Sequence, residues 1–357
     1  MGLTSELGNF YSGKKVFITG HTGFKGSWLS FWLISLGAEV VGYALEPEHE
    51  DSLFTKLRLK NKLWHNVADI RDFSSLSSII DRAKPDLVFH LAAQSLVKRS
   101  YDDPVTTFNV NVIGSVNLLE SVRKCPSVRS LIYITSDKCY ANNEWVWGYR
   151  ENDALGGTDP YSASKACAEH VFRSYFLSYF VFRNEFGCAS TRAGNVIGGG
   201  DVSENRIVPD IIKAISNNQS IVLKNPNSTR PWQHVLDPLH GYMQLGSFLY
   251  THPEIHNGEA WNFGPNSNSI KTVYELTKLL TEKLDKLKIE RSTVDEQYQE
   301  ASLLHLSIEK AQSLLNWQPK FSFDEAVTKT AHWYKRVKAG DDPIEVTIQQ
   351  LIEFTRV

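Results

Sequence analysis

The run Lys15-Val16-Phe17-Ile18-Thr19 passes directly into Gly20-His21-Thr22-Gly23-Phe24-Lys25-Gly26, and a helical pattern from Ser27 to Leu36 follows. A short apolar strand, a glycine turn and a helix in that order open a βαβ unit. The alternation then continues. Glu39 to Tyr43, Trp64 to Val67, Asp86 to Leu91, Ser130 to Ile134 and Gly187 to Arg192 read as strands. Phe73 to Ala83, Pro104 to Arg123 and Tyr161 to about Arg183 read as helices. Strands alternating with helices, joined by right-handed crossovers, predict a doubly wound parallel α/β sheet.

The glycine turn predicts what this sheet holds. Gly20 permits the tight turn, Gly23 lets backbone approach a pyrophosphate, and Gly26 allows close packing of helix on strand. Phosphates would then meet free N–H groups and the positive end of the helix dipole. Thr22, Phe24 and Lys25 belong to the same turn. The choice between NAD and NADP stays open on local residues. The second strand ends Gly42-Tyr43-Ala44-Leu45 without the usual acid for ribose hydroxyls, and no arginine stands there for a phosphate. Asp69, after the third strand, is a candidate for the adenine amino group or a strand-end cap.

After Ala193 the texture changes. Gly194 to Gly200 is a glycine-rich loop, Asn225 to Pro231 is rich in turn residues, and Lys283 to Gln299 is charged and irregular. The division expected is a dinucleotide domain over 1–192, rejoined by about 234–258, and a smaller mixed α/β substrate lobe over most of 193–357. The chain of 357 residues, 42% hydrophobic and 22% charged, is long enough for both. A net charge of -2 offers no attraction to nucleic acid or an anionic membrane. No stretch reaches the roughly 20 apolar residues of a membrane span, and the first residues lack the apolar run of a signal peptide. Cys125, Cys139, Cys167 and Cys188 form no Cys-x-x-Cys pair; they are expected to be reduced and buried, as in a cytoplasmic protein. The 11 histidines form no metal-binding pattern.

Two clusters carry chemistry. Tyr161 and Lys165, spaced Tyr-x-x-x-Lys, share one helical face. An ammonium beside a phenol favours the phenolate, which can then take a proton from a sugar or alcohol hydroxyl as hydride leaves the same carbon. Thr135-Ser136-Asp137-Lys138 ends the strand Ser130 to Ile134, at the edge where parallel sheets hold ligands. A hydroxyl, a carboxyl and an ammonium together there supply a hydrogen-bond donor, an acid and a base.

The glycine turn, Leu91-Ala92-Ala93-Gln94, Thr135-Ser136-Asp137-Lys138, Tyr161-x-x-x-Lys165 and Arg192-Ala193-Gly194-Asn195-Val196 together resemble the extended short-chain dehydrogenase/reductase family along nearly the whole chain. The finer match lies in Gly20 to Trp28, Thr135 to Tyr140, Gly194 to Asp201 and Arg230-Pro231-Trp232-Gln233-His234-Val235. It is similar to the nucleotide-sugar 4,6-dehydratases of that family that work on CDP-glucose. The resemblance implies a tightly held NAD and a CDP-4-keto-6-deoxy sugar as product, of the kind that feeds bacterial surface polysaccharides. Tyr161 and Lys165 would serve oxidation at C4, with Ser136 on the C4 oxygen and Asp137 as the acid for the leaving C6 hydroxyl. Related dehydratases of dTDP-glucose carry Thr-Asp-Glu in place of Ser136-Asp137-Lys138, so Lys138 is either the C5 base or an enolate stabiliser. Ile70, Leu91, Ala92 and Ala93 would line the cofactor, and Gln94 the sugar. Arg230 is the first candidate for the substrate diphosphate, since a guanidinium offers paired donors to phosphate. Asn195 either donates to a phosphate oxygen or is a loop residue with positive φ. Arg206, Glu300 and His305 are further candidates. A 4-epimerase of the same family has little use for Asp137 and Lys138, and a non-catalytic relative would have lost Tyr161, Lys165 or Asp137. Family members commonly pair through the helices that here span Pro104 to Arg123 and Tyr161 to Arg183. Val171, Phe172, Tyr175, Phe176 and Tyr179 are the apolar residues expected to spare for a homodimer or dimer of dimers.

Overall fold

The structure, a computed structural model, describes residues 6–285, 287–292 and 303–356. Seven strands form one parallel sheet: β1 Lys15–Thr19, β2 Glu39–Ala44, β3 Trp64–Val67, β4 Leu87–His90, β5 Ser130–Ile134, β6 Gly187–Ala193 and β7 Ala260–Phe263. Their spatial order is β7-β6-β5-β4-β1-β2-β3. The order reverses between β1 and β4, so the crevice outside their C-terminal ends is where such a sheet binds ligands. The strands β1, β4, β5 and β6 are buried almost throughout, as expected of strands covered on both faces.

Two cores sandwich the sheet. One gathers Trp28, Trp32, Phe89, Ile132 and Trp261 with Leu239 and Tyr242 of the helix Leu236–Thr251, and with Trp333, Leu351 and Phe354 from far along the chain. The other joins Phe17, Val88, Leu131 and Tyr133 to Leu118, Leu119, Phe172 and Phe176. A third core, including Ile211, Leu276, Leu280 and Val327, lies under the later helices. Around it stand three two-stranded pairings, of Val196–Ile197 with Gln233–His234, Thr229–Pro231 with Ile270–Thr272, and Ile221–Leu223 with Ile289–Arg291.

Several elements differ from the sequence expectation. The long helix starting at Pro104 contains a π-turn at Asn109–Ile113 before continuing as Gly114–Lys124. The helix carrying Tyr161 runs Pro160–Ser178 and ends before Arg183, whose guanidinium instead binds the carbonyls of Val122, Cys125 and Val128. Phe172 and Phe176 are buried in the second core and cannot serve as interface residues. The exposed apolar side chains of these helices are Val105, Phe108, Ile113, Leu177 and Tyr179, followed by Val181 and Phe182. All four cysteines are free; Cys125, Cys139 and Cys188 are buried as expected, but Cys167 is exposed, on the outer face of its helix. Among the described residues no helix is long and apolar enough to cross a membrane.

Candidate active site

The glycine turn has the shape its spacing requires. Gly20 takes φ +75°, and a Cβ there would lie 2.7 Å from the Ala92 nitrogen. A Cβ on Gly26 would lie 2.1 Å from the Gly20 carbonyl oxygen. Gly23 caps the helix Phe24–Ser35 with no side-chain hydrogen bond, so a ligand rather than a side chain is left to meet the first-turn N–H groups. These features fit a dinucleotide pyrophosphate. Thr22 ties the turn to β2 through the Leu45 carbonyl at 2.9 Å. The Thr19 hydroxyl meets His90 Nδ1 at 2.7 Å and accepts from the Ala92 N–H, fixing Leu91 to Ala93 against the turn. Phe24 faces Gly198, where an added Cβ would stand 3.2 Å from its ring.

Lys25 points the other way. Burial and the charges of Arg206 and Lys165 lower its pKa to about 8, against the opposing pull of Asp137. Arg206, Lys165 and Asp137 therefore lie close enough to Lys25 for their charges to be felt there. His21 turns under the sheet edge, its Nε2 2.7 Å from His65 Nδ1 and its ring where a Cβ on Gly42 would need to be. Burial first, then His65, lowers its pKa to about 3, so it is neutral. The Asp69 carboxylate is held by the Arg71 backbone N–H and guanidinium, which lower its pKa. Ile70 is buried against Gly114.

Asp159 and Pro160 explain why Tyr161 sits where it does. The Asp159 side chain accepts from the Ser162 N–H, and proline at the first helical position has φ already set. Tyr161 thus falls in the first turn of Pro160–Ser178, with Lys165 one turn further in; both are buried. The ammonium of Lys165 lies 6.0 Å from the centre of the Tyr161 ring. The proton states differ from the sequence expectation. Burial pushes the Tyr161 phenol up to about 12, against the opposing effect of the neighbouring Ser136 hydroxyl. Burial also draws Lys165 down to about 8, against Cys139 and Glu169. Desolvation outweighs the neighbouring charge in both groups.

Ser136 and Asp137 stand in a 3₁₀ turn at the end of β5, both buried. The Ser136 hydroxyl donates to Asp137 Oδ1 at 2.9 Å. Asp137 Oδ2 is buried without a hydrogen-bond partner, 3.0 Å from where a Cβ on Gly194 would stand. Burial raises its pKa, ahead of the opposing charge of Lys138. Lys138 itself is half-buried. Arg230 is buried; it donates to the Thr229 carbonyl and its charge is felt at Asp137. Arg206 bridges Asp201 at 3.3 Å and Ser95 at 3.2 Å, across the mouth of the cleft.

The remaining candidates are held in different ways. The Gln94 side chain bonds Leu96 in its own loop and Thr107 on the helix Pro104–Phe108. Asn195 does not have positive φ, which falls on Asn205 instead; its carbonyl accepts from Gln233. His305 is held by its backbone to Tyr149, and Glu300 lies outside the described residues. Among the described residues no group of three His, Cys, Asp or Glu side chains is placed to hold a metal.

Asn111, in the π-turn, escaped the sequence reading. Its amide donates to Ser164 on the catalytic helix and to the Gln94 carbonyl. A π-turn inside a helix commonly marks a functional position. The one available signal was an asparagine between the valines of an otherwise apolar helical stretch.

Such a sheet, with its glycine cradle and a buried Tyr–Lys helix facing a buried Ser–Asp strand end, is that of a short-chain dehydrogenase/reductase enzyme. The sequence model of the GDP-mannose 4,6 dehydratase family matches residues 17–330, and the chain belongs to that family. It is 44% identical over 351 residues to the CDP-glucose 4,6-dehydratase of Salmonella typhimurium, covering 97% of each chain. Solved structures with the same fold include the dTDP-glucose 4,6-dehydratase of Bacillus anthracis in complex with NAD, at TM-score 0.77 and 22% identity over 93% of this chain and 100% of that one. Another is the UDP-glucose 4-epimerase of Thermotoga maritima with UDP-glucose, at TM-score 0.77 and 23% identity over 91% and 99%.

Proposed function

We propose that the protein converts CDP-glucose to CDP-4-keto-6-deoxyglucose and water, using NAD held at the glycine turn. When bound, NAD would supply a hydride acceptor for C4 and a hydride donor for C6. Lys165 holds Tyr161 as the phenolate, and this phenolate takes the proton of the C4 hydroxyl and becomes the neutral phenol. Ser136 hydrogen-bonds the C4 oxygen. The new ketone acidifies C5–H; Lys138, as base or as enolate stabiliser, serves the loss of that proton. Asp137 gives its proton to the departing C6 hydroxide, which leaves as water. When hydride reaches C6, a proton returns to C5, so the net change is the loss of one water. Lys25, Arg206 and Arg230 supply the positive charge for the phosphates, and residues 194–357, apart from the helix Leu236–Thr251 and the strand β7, form most of the substrate lobe.

The observation that carries this reading is the buried, unpartnered Asp137 Oδ2 in the same cleft as Tyr161. Burial raises the pKa of that carboxyl, the direction an acid for C6 requires, whereas epimerisation at C4 has no use for it. The identity to the Salmonella dehydratase supports CDP-glucose as the substrate. Purified protein incubated with NAD and CDP-glucose should yield a sugar nucleotide lighter by one water. An isomer of unchanged mass would mean an epimerase, and unchanged substrate a non-catalytic protein. We further place the enzyme in the cytoplasm as a homodimer or dimer of dimers. The exposed Leu177, Tyr179, Phe108 and Ile113 on the two pairing helices support the assembly. Light scattering at micromolar concentration should give at least twice the chain mass, and a monomer would refute it.

A further inference from the structure

Beneath the catalytic groups lies a buried ion pair. Glu169 and Arg192 are 4% and 3% exposed and meet at 2.8 Å. Glu169 accepts from Arg192 through both carboxylate oxygens, and also from the hydroxyls of Thr135 and Ser190. The remaining guanidinium nitrogen of Arg192 donates to the Tyr140 hydroxyl at 2.8 Å and the Glu151 carbonyl at 2.9 Å. Tyr140 in turn donates to Asn262 on β7. Thr135 immediately precedes Ser136, and Tyr140 immediately follows Cys139. The ion pair therefore grips both ends of the segment that carries Ser136, Asp137 and Lys138. Glu169 also belongs to the helix of Tyr161 and Lys165, one turn beyond Lys165.

A buried ion pair is a poor source of stability, because desolvating both charges offsets most of their attraction. Its geometry offers something else. Two groups of reacting side chains come from separate elements, and this pair is bonded to both. We propose that Glu169 and Arg192 are positioning residues that hold the Tyr161–Lys165 helix and the Ser136–Lys138 turn in a common register for the two halves of the reaction. The proposal rests on the dehydratase reading given above. Small misplacements of reacting groups cost large factors in rate, so the register is worth fixing. The carboxylate has a second effect, since its charge favours the ammonium form of Lys165. The other ionisable groups around that ammonium are Cys139, His90, Lys25 and Tyr161.

The test uses the full chain with NAD and CDP-glucose. Thr135→Val removes the hydroxyl that meets Glu169 and the Thr191 carbonyl at nearly constant volume, Thr135→Ser restores it, and Tyr140→Phe removes the hydroxyl at the other end. Thr135→Val and Tyr140→Phe should each lower kcat by roughly tenfold with little change in KM, and Thr135→Ser should recover most of it. Glu169→Gln should lower kcat by about a hundredfold and move the alkaline limb of the kcat profile to lower pH. If that variant does not fold, the two milder variants and the serine rescue decide alone. Unchanged kcat in Thr135→Val and Tyr140→Phe, beside an active parent, would overturn the positioning role while leaving the dehydratase reading intact. A parent that removes no water overturns both.

Discussion

The helix that carries Tyr161 and the strand end that carries Asp137 both bring buried ionisable groups to one cleft, but burial acts on them with opposite consequences. On the strand end, desolvation raises the pKa of Asp137, which is the direction a proton donor needs. On the helix, desolvation pushes Tyr161 up to about 12 and Lys165 down to about 8, away from the phenolate–ammonium state that oxidation needs. In the mechanism proposed above, burial favours the elimination half. The oxidation half works against burial and depends on charge, on the first-turn dipole of the helix and on the groups that hold Lys165 protonated. Two residue sets a few ångströms apart are therefore expected to respond differently to mutation and to pH.

The largest effect should come from the helix. Tyr161→Phe removes the proton acceptor at C4, and turnover should fall by about a thousandfold or more while NAD still binds. Product analysis by mass and a fluorescence titration with NAD check the two parts. A rate within tenfold of the parent would take the phenol out of the mechanism.

Next comes the strand end. Asp137→Asn should slow water loss by roughly a hundredfold or more but leave oxidation at C4 possible. Mixed with CDP-glucose, the variant should build up the absorbance of reduced nicotinamide. Dehydration at the parent rate, without that absorbance, would reduce Asp137 to a turn residue. Equal loss of both steps would erase the contrast between the two elements.

The smallest effect is one of pH, and it sharpens the contrast. Lys165 is charged below its folded pKa of about 8 and neutral above it. If the charge serves oxidation, kcat should decline above about pH 8, approaching tenfold per pH unit. Stability should move the other way. An ordinary lysine titrates near 10.5, so from about pH 8 to 10.5 the unfolded chain binds more protons than the folded one, and stability rises with pH. Lys25, also lowered to about 8, adds to this with the same sign. Melting temperatures and kcat measured in the same buffers check both; a kcat that stays flat to pH 10 would mean that Lys165 acts without its charge.

Much of this was legible locally. The strand Lys15–Thr19, the helix Phe73–Ala83 and the strand Ser130–Ile134 have the bounds that apolar runs and breakers predict. Proline after aspartate marks the start of the catalytic helix, and the glycine spacing marks the cradle. These signals act within a few residues of their cause. Asn111 was not legible, because its partner Ser164 is 53 residues away. The pairing of Glu169 with Arg192 was hidden for the same reason, as was the burial of Phe172 and Phe176 against Tyr133. Gln94 looked free for a sugar, yet its own loop consumes its amide. His21 looked like a turn residue, yet His65 from β3 meets its ring.

The sequence by itself determined the order of elements, the parallel sheet, the phosphate-shaped turn and the side chains proposed to react. Each of these follows from short-range sterics, periodicity or the chemistry of a residue type. Only the tertiary structure decided which carboxyl has its pKa raised, which lysines are drawn toward neutrality and which helix face is core. Those properties depend on how much water is excluded around a group, and the walls that exclude it come from strands and helices distant in the chain.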